Sequence, residues 1–177
     1  QPFYVEFLTP LRGGESKRDG TLDITETIGG VNAQKLRYLE ILMFAPWSIV
    51  IGSENGFPLE RPASVRVPNA AAYIAQKLLV LARRKPRGQE RDILYIHDTL
   101  GTFAAHLAGV RATWQDDVLR HLHPRRLPQV RAVIDARFST VTDRIRGAAV
   151  IAESVGRQVS PQSLLEACQI GLKAIFL

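Results

Sequence analysis

The stretch NAAAYIAQKLLVLARRKPRGQERDILYIHD, residues 69–98, holds a lysine where helical spacing calls for an apolar residue. At about 100° per residue, Ala70, Tyr73, Ile74, Leu78 and Leu81 form one stripe and Lys77 falls in its middle. A desolvated ammonium needs an anion. The chemistry available to it is therefore the capture of a phosphate or a carboxylate in a cleft lined by that stripe. The plainer account is a stem that lies along apolar surface while its nitrogen reaches water. Asp92 sits on the flank of the next apolar face, made by Ile93, Ile96, Leu100, Phe103, Ala104 and Leu107. An acid in a first helical turn is already explained by the helix dipole. Between the two helices, Arg83, Arg84, Lys85, Arg87 and Arg91 surround a turn broken by Pro86 and Gly88. They read as a solvated turn, or as an electrostatic funnel for phosphates. A third candidate, Glu6, lies inside FYVEFL with apolar neighbours on both sides.

The elements that must position these groups divide the chain in two. FYVEFL alternates as a strand with Phe3, Val5 and Phe7 on one face, and TLDITETI alternates as a second strand paired to it across a Pro/Gly/charge loop at 9–20. NAQKLRYLEILMF places Leu36, Leu39, Leu42 and Met43 at helical spacing with Asn32 as its cap. WSIVIG and ASVRVP, separated by the Asn55-Gly56 turn signal, read as a hairpin or two short strands. From Pro68 onward helices are expected over about 69–84, 89–108, 111–121, 127–155 with a break near Gly147, and 161–175, the last opened by Ser160-Pro161. The expectation is an α+β protein with a β-rich part at 1–67 and a helical domain at 68–177.

Composition narrows the function. Of 177 residues, 46% are apolar, enough for one full core or two small domains, and the net charge of +6 points to polyanionic partners. No run is long and apolar enough for a membrane span, and no signal peptide opens the chain. The single Cys168 cannot form an internal disulfide and reads as a packed thiol in a reducing, cytoplasmic setting. His97, His106, His121 and His123 show no metal-ligand spacing, and Gly13-Gly14 and Gly29-Gly30 read as turns. Arg131, Arg137, Arg144 and Arg146 line one long helical run, a wet face or a backbone-reading surface for nucleic acid.

YVEFLTP, GVNAQKLRYLEILM, VRVPNAAAYIAQKLLVLARR and ERDILYI are similar, in order and spacing, to the later part of nucleotidyltransferase-fold proteins. The likeness covers about residues 1–105 and is to the minimal bacterial group that includes abortive-infection toxins. It implies transfer of a nucleoside monophosphate from a nucleoside triphosphate to RNA or a protein hydroxyl, with Mg²⁺ as cofactor. It also implies a cognate antitoxin protein as a partner. By this resemblance Glu6 is the third metal-binding acid, Lys77 contacts the nucleotide phosphates, Asp92 is the late acid that orients the site, and Arg83 or Arg84 is the basic residue between them. The family's Gly-Ser turn followed by a DxD pair occurs nowhere in this sequence. Asp116-Asp117 are adjacent, and LDITE sets Asp23 and Glu26 in another context. The expectation is an upstream segment bearing that pair, with no metal-dependent transfer by the 177 residues alone. The other reading is a non-catalytic module that binds nucleic acid or a partner protein on the same scaffold.

Overall fold

The computed structural model describes residues 6–177 and shows an α+β fold. Of the expected strand face of Phe3, Val5 and Phe7, the first two lie outside the described residues, and Phe7 precedes the first strand, which begins at Leu8 and runs into the segment expected to be a loop. The chain forms two units, Gln1–Glu40 and Ile41–Leu177.

In the first unit, β1 (Leu8–Pro10), β2 (Thr25–Ile28) and β3 (Val31–Leu36) make a sheet of order β1-β3-β2. Two expectations are corrected here. β2 pairs antiparallel with β3, and β1 pairs parallel with β3, so the two strands expected to be neighbours are separated by a third. That third strand is the segment expected to be a helix. Gly29 and Gly30 both take positive φ, 57° and 81°, and close a two-residue hairpin loop that sets Val31 opposite Ile28. The ladder thereby claims residues 31–36, and Asn32 accepts a hydrogen bond from Thr27 Oγ1 at 2.8 Å instead of capping a helix. Only one short 3₁₀ turn, Leu39–Met43, survives from the helical pattern. Lys35 pairs with Asp23 at 2.8 Å and Arg37 with Glu15 at 2.9 Å, which ties the loop before β2 to β3 and its end.

In the second unit, β4 (Trp47–Ile51) and β5 (Ala63–Val67) pair antiparallel, the first of the two expected arrangements, and Gly56 adopts the left-handed conformation the turn signal called for. Helix α1 (Ala70–Leu81) begins at Asn69, which is fully buried and whose side chain accepts from Ala72 N–H at 2.8 Å. Its amide nitrogen donates to Phe44 and Ala45 carbonyls, so one residue caps the helix and anchors the preceding turn. Then come α2 (Pro86–Thr102) and α3 (Leu107–Thr113), whose helical path widens to a π-turn at Trp114–Val118. They are followed by α4 (Arg126–Arg137), α5 (Asp143–Ser154) and α6 (Pro161–Phe176).

The single long helix expected over 127–155 is two helices, and it breaks at 138–142, not at Gly147. Thr142 accepts from Ile145 N–H and restarts the chain as α5. Gly147 instead lies inside α5, where a Cβ would stand 2.6 Å from Glu90 Cδ, so the glycine lets α5 approach α2 closely. Gly171 does the same for α6, with Leu100 Cδ2 2.7 Å from its virtual Cβ. The core of this unit is aliphatic, with Ile74, Leu78, Leu81, Ile93, Ile96, Val118, Val130, Ile145 and Leu172 at 1% exposure or less. No helix among the described residues is long and apolar enough to cross a membrane.

Candidate functional site at the junction of two helices

Helix α1 ends at Leu81 and α2 begins at Pro86, so the basic turn folds the two helices against each other and brings residue 77 opposite residue 92. Lys77 Nζ donates to Asp92 Oδ1 at 3.0 Å. The ammonium in the apolar stripe thus has its anion within the same unit. The Lys77 side chain is 14% exposed and that of Asp92 4%, so the pair is largely desolvated. Arg84 approaches from the turn with Nε 3.2 Å from Asp92 Oδ2. That contact is an ion pair without hydrogen-bond alignment, and Oδ2 accepts no hydrogen bond among the described residues.

Two aromatic rings complete the surroundings of the ammonium. Nζ lies 5.4 Å from the Tyr73 ring centre and 5.0 Å from that of Tyr95, within cation–π range. Tyr73 is the residue one turn before Lys77, and Tyr95 the residue one turn after Asp92. Burial pushes the Tyr73 hydroxyl up to about 12, so it keeps its proton at neutral pH and cannot serve as a base there. Lys77 was conspicuous in the sequence because it broke a period. Tyr95 was not, and its only signal was its spacing of three from Asp92 on a helix.

The remaining candidate residues fall as follows. Arg83, Lys85, Arg87 and Arg91 are exposed and make no ion pair among the described residues. Together with Lys77 and Arg84 they leave the junction strongly positive, because Asp92 neutralises one charge and Glu90 is taken by Arg144 at 3.0 Å. Glu6 belongs to the first unit and is exposed, one residue before the Phe7 carbonyl that accepts from Gln34 N–H. In the second unit, Asp98 on α2 receives both terminal nitrogens of Arg157, and His97 Nδ1 lies 3.0 Å from it. The Arg157 guanidinium holds the Asp98 carboxyl below its usual range.

Other sequence candidates resolve into structure. Cys168 is fully buried and burial pushes its thiol up to about 12, which leaves no nucleophile at neutral pH. Arg144 and Arg146 do not continue the face of Arg131 and Arg137, since they lie on α5, and Arg146 pairs with Asp143 at 2.8 Å. His121 packs its ring 5.3 Å from that of Phe44, and His123 accepts from Arg125 N–H. Among the described residues no three His, Cys, Asp or Glu side chains converge in a way that could hold a metal ion. Asp92 does not fit one either, because its oxygens face an ammonium and a guanidinium.

A family model described as nucleotidyltransferase matches residues 1–118, which spans both units through the π-turn and leaves α4, α5 and α6 outside. No curated protein and no solved structure matches the chain.

Proposed function

Because the chain belongs to the nucleotidyltransferase family, we propose that it acts in the transfer of a nucleoside monophosphate from a nucleoside triphosphate to an RNA end or a protein hydroxyl. Its phosphate-binding residues are Lys77 and Arg84, with Arg83 at the rim. The observation that carries this reading is an ammonium and a guanidinium converging on one carboxylate, next in sequence to four exposed cations that make no ion pair among the described residues. Asp92 holds Lys77 in place and does not cancel the local charge. A triphosphate entering the junction meets a cation whose position is already paid for, with the Tyr73 and Tyr95 rings limiting its motion. Arg84, more exposed than Lys77, is free to turn from the Asp92 oxygen it contacts without a hydrogen bond to a phosphate oxygen.

Divalent metal is general to the family, and magnesium is the ion we assign, with Glu6 as one of its carboxylates. The described residues do not assemble the rest of such a site, so the phosphate contacts here run through Lys77 and the arginines. The likeness to abortive-infection toxins extends the proposal to a cognate antitoxin protein and an RNA acceptor, in a reducing cytoplasm suited to the lone thiol. In this reading residues 1–67 carry the sheet with its acid and residues 68–177 the helical phosphate-binding part.

A nucleoside triphosphate with Mg²⁺ raises the melting temperature of the protein, and Lys77→Ala removes the rise. Arg84→Ala, at a more exposed position, reduces the rise without the folding cost of Lys77→Ala. Incorporation of nucleotide calls for further carboxylates beside Glu6, since one carboxylate cannot form a two-metal site. A second reading draws on the pairing of Lys77 with Asp92, which satisfies the lysine with no ligand at all. In that case the scaffold is a non-catalytic module for nucleic acid or a partner protein. Absence of any triphosphate-dependent rise in the wild type decides for it.

A further inference from the structure

On α2, Arg87, Arg91 and Tyr95 recur every four residues and are all exposed, whereas Asp92, Ile93, Leu94 and Ile96 beside them are buried. The three therefore form one solvent-facing stripe about 12 Å long at 1.5 Å per residue. Tyr95 is 46% exposed, a large aromatic outside the core. It is nevertheless held in place, with Lys77 Nζ 5.0 Å from its ring centre. Arg87 and Arg91 have no ion-pair partner among the described residues. A flat exposed ring followed toward the helix start by two free guanidiniums, each about 6 Å further on, has the order of groups that a nucleotide presents: base, then sugar, then phosphates.

We infer that Tyr95 is the stacking platform for the nucleobase of the bound nucleotide, with its phosphates running toward Arg91 and Arg87 past Lys77. This inference rests on the proposed binding of a nucleoside triphosphate at the junction and adds the part of the ligand that the cations do not address. Stacking on a tyrosine face tolerates every base, because each has a π-face, and no side chain in the stripe presents a carboxylate or amide to read a base edge. The site therefore binds the four common nucleoside triphosphates within a few-fold of one another.

Titration calorimetry with ATP and with inorganic tripolyphosphate, both with Mg²⁺, separates the base from the phosphates. Tyr95→Ala weakens ATP binding about ten-fold and leaves tripolyphosphate unchanged, while Tyr95→Phe keeps wild-type affinity for both. Arg91→Ala weakens both ligands. Tyr95 is exposed, so the unliganded melting temperature of its variants checks that folding is intact. Unchanged ATP binding in Tyr95→Ala, or equal loss of ATP and tripolyphosphate, overturns the inference while the proposed function stands. Loss confined to a short single-stranded oligonucleotide assigns the ring to the acceptor strand and overturns it as well. If neither ATP nor tripolyphosphate binds the wild type, the proposed function and this inference fall together.

Discussion

Asp92→Ala lowers the unfolding free energy by about 3 kcal/mol, the cost of leaving a desolvated cation without its anion. The size follows from the surroundings: Lys77 is 14% exposed, its nitrogen donates to Asp92 Oδ1, and the stripe around it is apolar. Part of the loss is recovered as Lys77 tilts its nitrogen toward water, which keeps the figure at the lower end for broken buried pairs. Replacing both partners by apolar residues of similar size, Lys77→Met with Asp92→Leu, restores most of the stability because no charge remains to be desolvated. Chemical denaturation of the two single variants and the double variant measures the coupling. If Asp92→Ala costs under about 1 kcal/mol, the lysine finds water unaided and the carboxylate is not what positions it. The same double variant loses triphosphate protection even though it folds, which separates the pair's structural share from its proposed role in binding.

Trp114→Ala costs about 4 kcal/mol, the largest single loss expected from the core. Trp114 is 2% exposed and meets Phe176 edge-on at 4.8 Å between ring centres. The contact joins the last residues matched by the family model to the far end of α6, which lies outside that match. Arg111 makes the same connection by donating to the Ala174 carbonyl at 3.1 Å. The chain beyond residue 118 thus also holds α2, through Arg144 of α5 on Glu90, Arg157 of the α5–α6 connection on Asp98 and the close approach at Gly171 of α6. Thermal and urea unfolding of Trp114→Ala check the loss, and a cost near that of a surface substitution would show that α6 docks without supporting the matched region.

How much of this was legible beforehand depended on the range of the interaction involved. Ser160-Pro161 announces a helix start correctly, since a cap acts on an N–H group three residues away, whereas Asn32, expected to cap a helix, lies in β3 and the cap of α1 is Asn69. The strands β4 and β5 are readable from their own composition, while their pairing across residues 52–62 is one of the two arrangements the sequence leaves open. Residues 31–36 were misread because Leu36, Leu39, Leu42 and Met43 satisfy a helical period, and the competing claim came from a strand partner. The Gly29-Gly30 pair was the available sign. Its two positive φ values are what a two-residue hairpin loop demands, and β2 and β3 follow from it. Gly147 was read as a helix breaker, although its lack of a Cβ serves a neighbouring helix and not its own.

The candidate site shows the same division. That Lys77 was out of place followed from period alone, and that Asp92 had a helix-dipole excuse followed from position alone. Neither fact indicated that each was the other's partner.

By itself the sequence determined the α+β class, the helix start at Ser160-Pro161, the excess of positive charge around residues 83–91 and the anomaly at residue 77, because these are properties of composition and of spacing within one element. The tertiary structure alone decided that Asp92 is buried against Lys77, that Tyr95 stands exposed beside them, that Gly147 of α5 and Gly171 of α6 meet the side chains of Glu90 and Leu100, and that the middle strand is a strand. Each of these depends on groups brought together from different elements, and the free energy of such a contact exists only once the chain has folded.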